Sequence, residues 1–329
     1  MFEWNGRKVL VTGAYGFLAA HLIEGLLRQG AQVVGIVRDC PADSYLQYQY
    51  LDTQVTLLRG DIVDLEFCRR ALNEEEIEVV FHLAAQAIVG TANRSPLSTF
   101  ESNIRATYML LEACREIRVD GGALQSVVVA SSDKAYGDQE VLPYREDAPM
   151  QGLHPYDVSK SCADLITRTY ANTYKLPAAV TRCANLYGPG DLNFSRIVPA
   201  TVRDVLQGTR PVIRSDGSPQ RDYLYVEDAV EGYLALAEAV IEGKAVGKAY
   251  NLGTGVPVTV LQLVEDIIRA ARSELTAEVQ NTAGGEIKHQ YLDPTRAREE
   301  LGWVARTPRD EGLKQCLQWY SEYLSDQNE

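Results

Sequence analysis

A tyrosine and a lysine four residues apart open one of the long helical segments of this chain. Tyr156 and Lys160 follow Pro155, and residues at i and i+4 share one face of a helix. A nearby ammonium group favours the phenolate, so the spacing predicts that Tyr156 acts as a base near neutral pH. Ser132 stands at the end of a predicted strand, where its hydroxyl could bind the reacting oxygen beside Tyr156.

A glycine-rich turn near the N-terminus predicts a bound dinucleotide. The turn, residues 12–19, reads TGAYGFLA and lies between a predicted strand and a predicted helix. Gly13 permits the tight turn, Gly16 lets the backbone approach a pyrophosphate, and Ala19 replaces the third glycine of such motifs. The alternative is a turn with a purely structural role, but the position before a helix N-terminus favours phosphate binding. The residues predicted to contact the dinucleotide here are Gly13, Tyr15, Gly16, Phe17 and Leu18.

The elements that would position these residues follow from short apolar runs that alternate with amphipathic stretches. Strands are predicted at residues 7–12, 31–37, 79–83, 125–131 and 179–183, and helices at 16–29, 96–118 and 156–174. This alternation is typical of an α/β fold with a doubly wound parallel Rossmann sheet. We predict a dinucleotide-binding domain over residues 1–184 and a smaller C-terminal substrate-binding lobe over 185–329. About residues 222–252 are expected to return to the main sheet, through strands at 221–226 and 249–252.

Two further strand ends are candidates for cofactor contacts. Asp61, followed by Ile62, could accept a hydrogen bond from the adenine amine, or it could cap a helix. Leu83, Ala84 and Ala85 stand at and just after the end of the strand predicted at 79–83, where small side chains would let the backbone lie against the cofactor. For His82, which precedes them, we favour the interpretation of a core histidine with its hydrogen bonds satisfied.

The end of the second strand bears on the choice between NAD and NADP. An acidic residue there holds the ribose 2′-hydroxyl of NAD, whereas an arginine favours the 2′-phosphate of NADP. The chain offers both, as Arg38 followed by Asp39. We count Arg38 among the cofactor residues, with a lean towards NADP, and the choice stays open.

Composition excludes several other classes of protein. A formal charge of -13 argues against nucleic-acid binding, and the longest apolar runs are far too short to cross a bilayer. The six cysteines show no CxxC pair, and the four histidines form no metal-binding pattern. We therefore expect a cytoplasmic protein with reduced thiols and no metal site.

Taken together, these motifs resemble those of the extended short-chain dehydrogenases, in the nucleotide-sugar epimerase/dehydratase family. The similarity covers nearly the whole chain, and it rests on the glycine turn, on Ser132, Tyr156 and Lys160, and on residues 82–86, 185–190, 221–223 and 301–303. Within the family, residues 82–89, 132–134, 190–191 with Arg196, and 289–291 look closest to CDP-glucose 4,6-dehydratases. Residues 221–226 lack the tryptophan of those enzymes, which leaves the nucleotide base open. Residues 103–107 lack the usual glycine, a departure that we attribute to packing.

The resemblance implies roles for the two residues that follow Ser132. A 4-epimerase needs only hydride removal at C4 and its return, whereas a 4,6-dehydratase must also remove the C5 proton and expel the C6 hydroxyl. The resemblance assigns Asp133 as the acid at C6 and Lys134 as the base at C5. A lysine needs burial or neighbouring cations to serve as a base, so Lys134 could instead neutralise Asp133 or contact the cofactor.

Three functions are therefore compared. The first is a 4,6-dehydratase for a nucleotide-linked hexose of the CDP-glucose or GDP-mannose type, with tightly bound and recycled NAD(P). The second is a 4-epimerase, and the third is a non-catalytic NAD(P)-binding sensor, which would not need the set of Ser132, Tyr156 and Lys160. The residues predicted to bind the substrate are Gln86, Asn185, Arg196, Arg214 and Arg221. A diphosphate needs cations, which the three arginines could supply, and the resemblance makes Asn185 and Arg221 the best candidates for the diphosphate. The alternative is that the arginines are surface ion-pair residues. By resemblance, the helices at 96–118 and 156–174 are expected to pair in a homodimer or a dimer of dimers.

Overall fold

A seven-stranded parallel sheet forms the centre of the computed structural model, which describes residues 3–282 and 287–327. The strands in chain order are β1 (Lys8–Thr12), β2 (Gln32–Val37), β3 (Thr56–Arg59), β4 (Val79–His82), β5 (Ser126–Ser132), β6 (Ala178–Cys183), β7 (Asn185–Tyr187), β8 (Val212–Ile213), β9 (Gln220–Arg221), β10 (Tyr223–Tyr225), β11 (Ala249–Leu252), β12 (Val258–Thr259), β13 (Glu278–Val279) and β14 (His289–Gln290). The central sheet has the order β3-β2-β1-β4-β5-β6-β11, and every neighbouring pair is parallel. The predicted doubly wound α/β class is confirmed.

Helices cover both faces of this sheet. They are α1 (Phe17–Arg28), α2 (Tyr45–Tyr48), α3 (Leu65–Glu74), α4 (Val89–Arg94), α5 (Pro96–Phe100), α6 (Ala106–Val119), α7 (Pro155–Tyr174), α8 (Ile197–Leu206), α9 (Val226–Ile241), α10 (Val260–Ala270) and α11 (Arg309–Asp326). A π-helical turn at Glu101–Arg105 joins α5 to α6, so the predicted helix at 96–118 is one helical run with a local irregularity. Val9 and Val11 of β1 belong to the core on one face and Leu10 to the core on the other, which explains the continuous apolar runs of the strands.

The predicted strand at 221–226 does not join the main sheet. Gln220–Arg221 pairs with β12 and β14 in a three-stranded sheet, and Tyr223–Tyr225 pairs in parallel with β7 in a two-stranded sheet. Asp222 divides the two strands, because its buried carboxylate accepts hydrogen bonds from the N–H groups of Thr254 and Gly255, both at 3.0 Å. Only β11 returns to the main sheet, where it pairs with β6. The division into residues 1–184 and 185–329 stays a prediction.

A buried ion pair ties α7 to the sheet beneath the site. Arg182 of β6 is 1% exposed, and its Nε and Nη2 donate to the two carboxylate oxygens of Asp164 at 2.8 and 3.1 Å. Its Nη1 also donates to the Tyr136 hydroxyl at 2.8 Å. Because a charge this deep in the protein requires a counter-charge, the pair fixes the position of α7 against β6.

We expect Asp164→Ala to lower the free energy of unfolding by about 3–5 kcal/mol, since it leaves the Arg182 guanidinium buried without a carboxylate. Arg168→Met is the matched control, because Arg168 contacts the same carboxylate at 3.6 Å but is 38% exposed; this change should alter stability by about 1 kcal/mol or less. Urea unfolding of both variants measures the difference. Equal losses for the two variants would contradict the prediction.

Candidate active site

The motif residues gather at the carboxyl edge of the central sheet. The glycine turn follows β1, Leu83 follows β4, and Ser132 ends β5. Strands β1, β4 and β5 are neighbours and parallel, so their carboxyl ends open on one side of the sheet, where ligands bind in such folds.

The glycine turn has the geometry of a phosphate cradle. Gly13 has φ +71°, and a Cβ at this position would lie 2.9 Å from the Cα of Ala84. A Cβ on Gly16 would lie 3.0 Å from the Gly13 carbonyl oxygen, and Gly16 is the N-cap of α1. Gly13 therefore excludes a side chain and Gly16 leaves little room for one, so backbone N–H groups at the start of α1 can approach an anion.

Thr12 and His82 join the turn to the end of β4. The Thr12 hydroxyl accepts hydrogen bonds from the N–H groups of Leu83 at 3.1 Å and Ala84 at 3.0 Å. The two ring nitrogens of His82 contact the Thr12 and Thr107 hydroxyls at 2.9 and 3.1 Å. Burial lowers the pKa of His82 to about 3, so this residue is the neutral core histidine that the sequence favoured.

Lys160 and Tyr156 lie together at the start of α7, but their electrostatic relation differs from the prediction. The ammonium nitrogen of Lys160 donates to the Ala130 carbonyl at 2.9 Å and lies 6.0 Å from the centroid of the Tyr156 ring. Burial lowers the pKa of Lys160 to about 8. Burial also raises the pKa of Tyr156 to about 12, against which a hydrogen bond with Ser132 and the charge of Arg196 act in the lowering direction. The charges of Asp133 and Asp157 add to the effect of burial, so the net shift is upward and the expected depression of the Tyr156 pKa by Lys160 is not found.

The turn after β5 carries the two residues that separate the candidate reactions. Ser132 caps this turn, accepting from the N–H of Lys134 at 3.2 Å and donating to Asp133 Oδ1 at 3.0 Å. Asp133 is 2% exposed, and its Oδ2 is buried without a hydrogen-bond partner in the described structure. The Lys134 ammonium donates to the side-chain oxygen of Gln290. A buried carboxylate oxygen of this kind is available to exchange a proton with a ligand.

The predicted substrate residues differ in their exposure and in their contacts. Arg196 is the N-cap of α8, is 38% exposed and contacts Asp191 Oδ2 at 3.0 Å. Asn185 begins β7 and donates from Nδ2 to the Asp222 carbonyl at 3.2 Å. Arg221 ends β9, half-buried, while Arg214 is exposed in the loop after β8. The charge of Arg196 acts to lower the pKa of Tyr156, and phosphate contacts by all these residues stay predictions.

The backbone of Gln86 is bound by Asn103, a residue that was not predicted to belong to the site. Asn103, buried in the π-helical turn, accepts from the Gln86 N–H at 2.7 Å and donates to the Gln86 carbonyl at 3.1 Å. The same amide nitrogen lies 2.8 Å from the Ser159 hydroxyl on α7. Asn103 therefore joins the loop after β4 to the helix that carries Tyr156. Only its place in the segment 103–107, which lacks the glycine usual in the family, could have drawn attention to it.

Two predicted adenosine contacts lie at the surface. The Arg38 guanidinium is 58% exposed and pairs with Asp39 at 2.8 Å. Asp61 is exposed and accepts from the Val63 N–H at 3.1 Å. The alternative of Asp61 as a helix cap is wrong, since Asp64 caps α3 through the N–H groups of its first turn. Contacts of Arg38, Asp61 and Ile62 with a cofactor stay predictions.

Neither a metal cluster nor a membrane-spanning helix is found in the described part of the chain. Within residues 3–282 and 287–327, no group of three or more His, Cys, Asp or Glu side chains could hold a metal ion. No helix in these ranges is long and apolar enough to span a bilayer. The six cysteines are all free thiols.

Fold and site together define the class of extended short-chain dehydrogenases that act as nucleotide-sugar epimerases and dehydratases. The family model of the GDP-mannose 4,6-dehydratases matches residues 10–316, and the chain belongs to this family. It is 30% identical to the CDP-glucose 4,6-dehydratase of Salmonella typhimurium over 336 residues, which covers 98% of this chain and 92% of that protein.

Solved structures include similar folds with ligands. The UDP-glucose 4-epimerase of Thermotoga maritima, solved with UDP-glucose, has a TM-score of 0.88 and 28% identity, covering 96% of this chain and 99% of that one. The UDP-glucuronic acid 4-epimerase of Bacillus cereus, solved with UDP-glucuronic acid and NAD, has a TM-score of 0.86 and 26% identity, covering 96% and 99%. The chain spans only about half, 48%, of a trifunctional UDP-glucose 4,6-dehydratase, epimerase and reductase of Arabidopsis thaliana, to which it is 28% identical.

Proposed function

We propose that this protein is an NAD(P)-dependent 4,6-dehydratase for a nucleotide-linked hexose, of the CDP-glucose or GDP-mannose type. The observation that carries the proposal is the turn after Ser132. There a buried Asp133 carboxylate oxygen, which has no hydrogen-bond partner among the described residues, stands next to a lysine whose ammonium is held by a buried amide. Epimerization at C4 requires neither group, whereas loss of water from C5 and C6 requires an acid and a base.

NAD(P) fits the glycine turn, and in this proposal it is tightly bound and supplies the hydride acceptor at C4 and the hydride donor at C6. The protein's own groups move the protons. Tyr156, with the Ser132 hydroxyl beside it, takes the proton of the C4 hydroxyl, and Lys160 holds the end of β5 through the Ala130 carbonyl. The resulting C4 ketone acidifies the C5 hydrogen. Lys134 then removes that hydrogen as a proton while Asp133 protonates the departing C6 hydroxyl, which leaves as water. After hydride has returned to C6, Lys134 gives a proton back to C5 to complete the 4-keto-6-deoxy sugar.

The test is incubation with a panel of CDP-, GDP-, UDP- and dTDP-hexoses, followed by mass analysis of the sugar. A 4-keto-6-deoxy product, lighter by one water and formed without net NAD(P)H, is the expected result. The panel also identifies the nucleotide base, the hexose and, with either cofactor added, the choice between NAD and NADP. Net NAD(P)H production would instead indicate an ordinary dehydrogenase.

A 4-epimerase is the second candidate, favoured by the strong likeness to two solved 4-epimerases. Its product would retain the C6 hydroxyl and the mass of the substrate. A non-catalytic NAD(P)-binding sensor is disfavoured, because Ser132, Tyr156 and Lys160 stand together at one edge of the sheet.

We further propose that the protein is a homodimer or a dimer of dimers, located in the cytoplasm. The free cysteines favour a reducing compartment. Exposed apolar side chains lie on the two helices that were expected to pair, with Leu97 of α5 72% exposed and Leu165 and Tyr174 of α7 53% and 55% exposed. Burial of such side chains against a second copy would stabilise a two-fold interface.

Leu165→Glu should reduce the assembly to a monomer at micromolar concentration, because a charge would be buried in the interface. The measurement is the mass in solution by light scattering. Leu206→Glu is the control, since Leu206 is 37% exposed on α8, outside the two helices, and this variant should keep the wild-type mass. A monomeric wild-type protein would refute the proposal.

A further inference from the structure

A buried amide on a distant strand binds the turn that carries Asp133 and Lys134. Gln290, on the short strand β14, is 0% exposed. Its side-chain oxygen accepts from the Lys134 ammonium, and its Nε2 donates to the Asp133 carbonyl oxygen at 3.1 Å. Both ends of this amide are thus bonded to two consecutive residues of the turn.

The orientation of the Gln290 amide follows from its two partners. With the oxygen toward Lys134 and the nitrogen toward the Asp133 carbonyl, each contact joins a donor to an acceptor. The opposite orientation would place an N–H group against an ammonium and an oxygen against a carbonyl oxygen. Loss of the amide would leave the Asp133 carbonyl without this donor and the Lys134 side chain without this acceptor.

The strand that carries Gln290 is itself fixed on two sides. In the parallel pairing of β14 with β9, Gln290 is the register partner of Arg221. On the other side, the Tyr144 N–H donates to the Tyr291 carbonyl and the Tyr144 carbonyl accepts from the Asp293 N–H, both at 2.9 Å. Gln290 therefore joins the turn after β5 to the small sheet that carries Arg221, a residue predicted to bind the diphosphate.

We infer that Gln290 is a positioning residue for the dehydration half of the reaction, which aims the Lys134 amine at C5 and fixes the backbone that presents the Asp133 carboxyl. The inference rests on the proposed 4,6-dehydratase function. It concerns only the steps at C5 and C6, because the Gln290 amide binds the Lys134 and Asp133 side of the turn and not Ser132, Tyr156 or Lys160 among the described contacts.

Gln290 is uncharged, and the absence of a charge is part of its role in positioning Lys134. The Lys134 charge lowers the pKa of Asp157 on α7, although burial raises it overall, so a carboxylate among the described residues already acts on Lys134. A further carboxylate at position 290 would hold Lys134 as ammonium, which cannot remove a proton. An amide accepts the same hydrogen bond without adding that charge.

The experiment uses the full-length protein with two substitutions that differ in charge. For Gln290→Met, oxidation at C4, followed as enzyme-bound NAD(P)H, should stay within about twofold of wild type. Exchange of the C5 hydrogen with deuterated solvent should fall about 10²-fold, as expected when a reacting group is misplaced by about 1 Å. For Gln290→Glu, the pH profile of C5 exchange should move to higher pH, a shift that Gln290→Met should not show.

Gln220→Met is the matched control. Gln220 is the register neighbour of His289 in the same small sheet and contacts its ring at 3.1 Å, but it has no bond to the turn among the described contacts. This variant should leave both rates and the pH profile unchanged. Thermal unfolding of all variants identifies any general loss of structure.

The outcomes separate the inference from the function on which it rests. A wild-type protein that dehydrates its substrate, with Gln290 variants that lose C4 oxidation and C5 exchange to the same extent, overturns the positioning role alone. A wild-type protein that inverts C4 without C5 exchange or loss of water overturns the dehydratase function, and the positioning role with it. A selective loss of C5 exchange supports both.

Discussion

Tyr156→Phe is expected to slow the oxidation at C4 by about 10²–10⁴-fold, the range for removal of a general base. In the proposed mechanism the phenol oxygen of Tyr156 receives the C4 proton, and a hydrogen bond with Ser132 acts to lower the pKa of this phenol. Phenylalanine keeps the ring, so packing at the start of α7 should be preserved. The measurement is the first-turnover rise in absorbance of enzyme-bound NAD(P)H after substrate is added.

Tyr50→Phe serves as the control for Tyr156, because Tyr50 is 75% exposed and far from the motif residues in the chain. It should show the wild-type rate. If Tyr156→Phe oxidizes C4 as fast as wild type, another group accepts the proton, and the predicted catalytic set is wrong.

Asp133→Asn is expected to spare oxidation at C4 and to slow loss of water by about 10²–10⁴-fold. An amide at this position keeps the shape of the side chain and can still accept from the Ser132 hydroxyl, but it cannot deliver a carboxyl proton to the C6 oxygen. Bound NAD(P)H should therefore accumulate and remain visible by absorbance. Asp138→Asn, on the exposed loop beyond the turn, is the control and should turn over normally.

Lys134→Met completes the same prediction, since it should stop exchange of the C5 hydrogen with deuterated solvent. If the Asp133 and Lys134 variants both keep full activity, the pair is structural. The 4-epimerase function would then be the better one, and its product would keep the C6 hydroxyl.

The central sheet was predictable because most of its early strands are runs of apolar residues flanked by turns or helices. Strand β3 was not predicted because its residues are only partly buried, with Thr56 and Arg59 exposed at its two ends. The segment 221–226 reads as one strand, but the buried carboxylate of Asp222 binds the loop after β11 and splits it. A polar residue inside an apolar run does not by itself indicate a break in a strand. Here the break follows from the hydrogen bonds of Asp222 with residues about 30 positions later in the chain.

The same difference between local motifs and contacts over long sequence distances applies to the candidate site. Residues fixed by local motifs, such as Gly13, Ser132 and Tyr156, lie together at the sheet edge as their spacing predicts. Gln290 contacts the turn across 157 positions of sequence, and no local pattern shows such a contact. The sign of the Tyr156 pKa shift also required the structure, because the balance of burial against nearby cations depends on depth and distance.

The late position of β11 in the chain has a consequence for synthesis and folding. When the ribosome has made residues up to β6, the hydrogen-bonding edge that Ala249–Leu252 will occupy is still open, and an open strand edge invites pairing with other chains. Helix α9, made just before β11, packs against both β5 and β6. The nascent sheet is thus completed only after residues 185–248, which lie between β6 and β11, have emerged. We therefore expect the chain to gain its native stability in one late step, and a fragment that stops before residue 249 to aggregate.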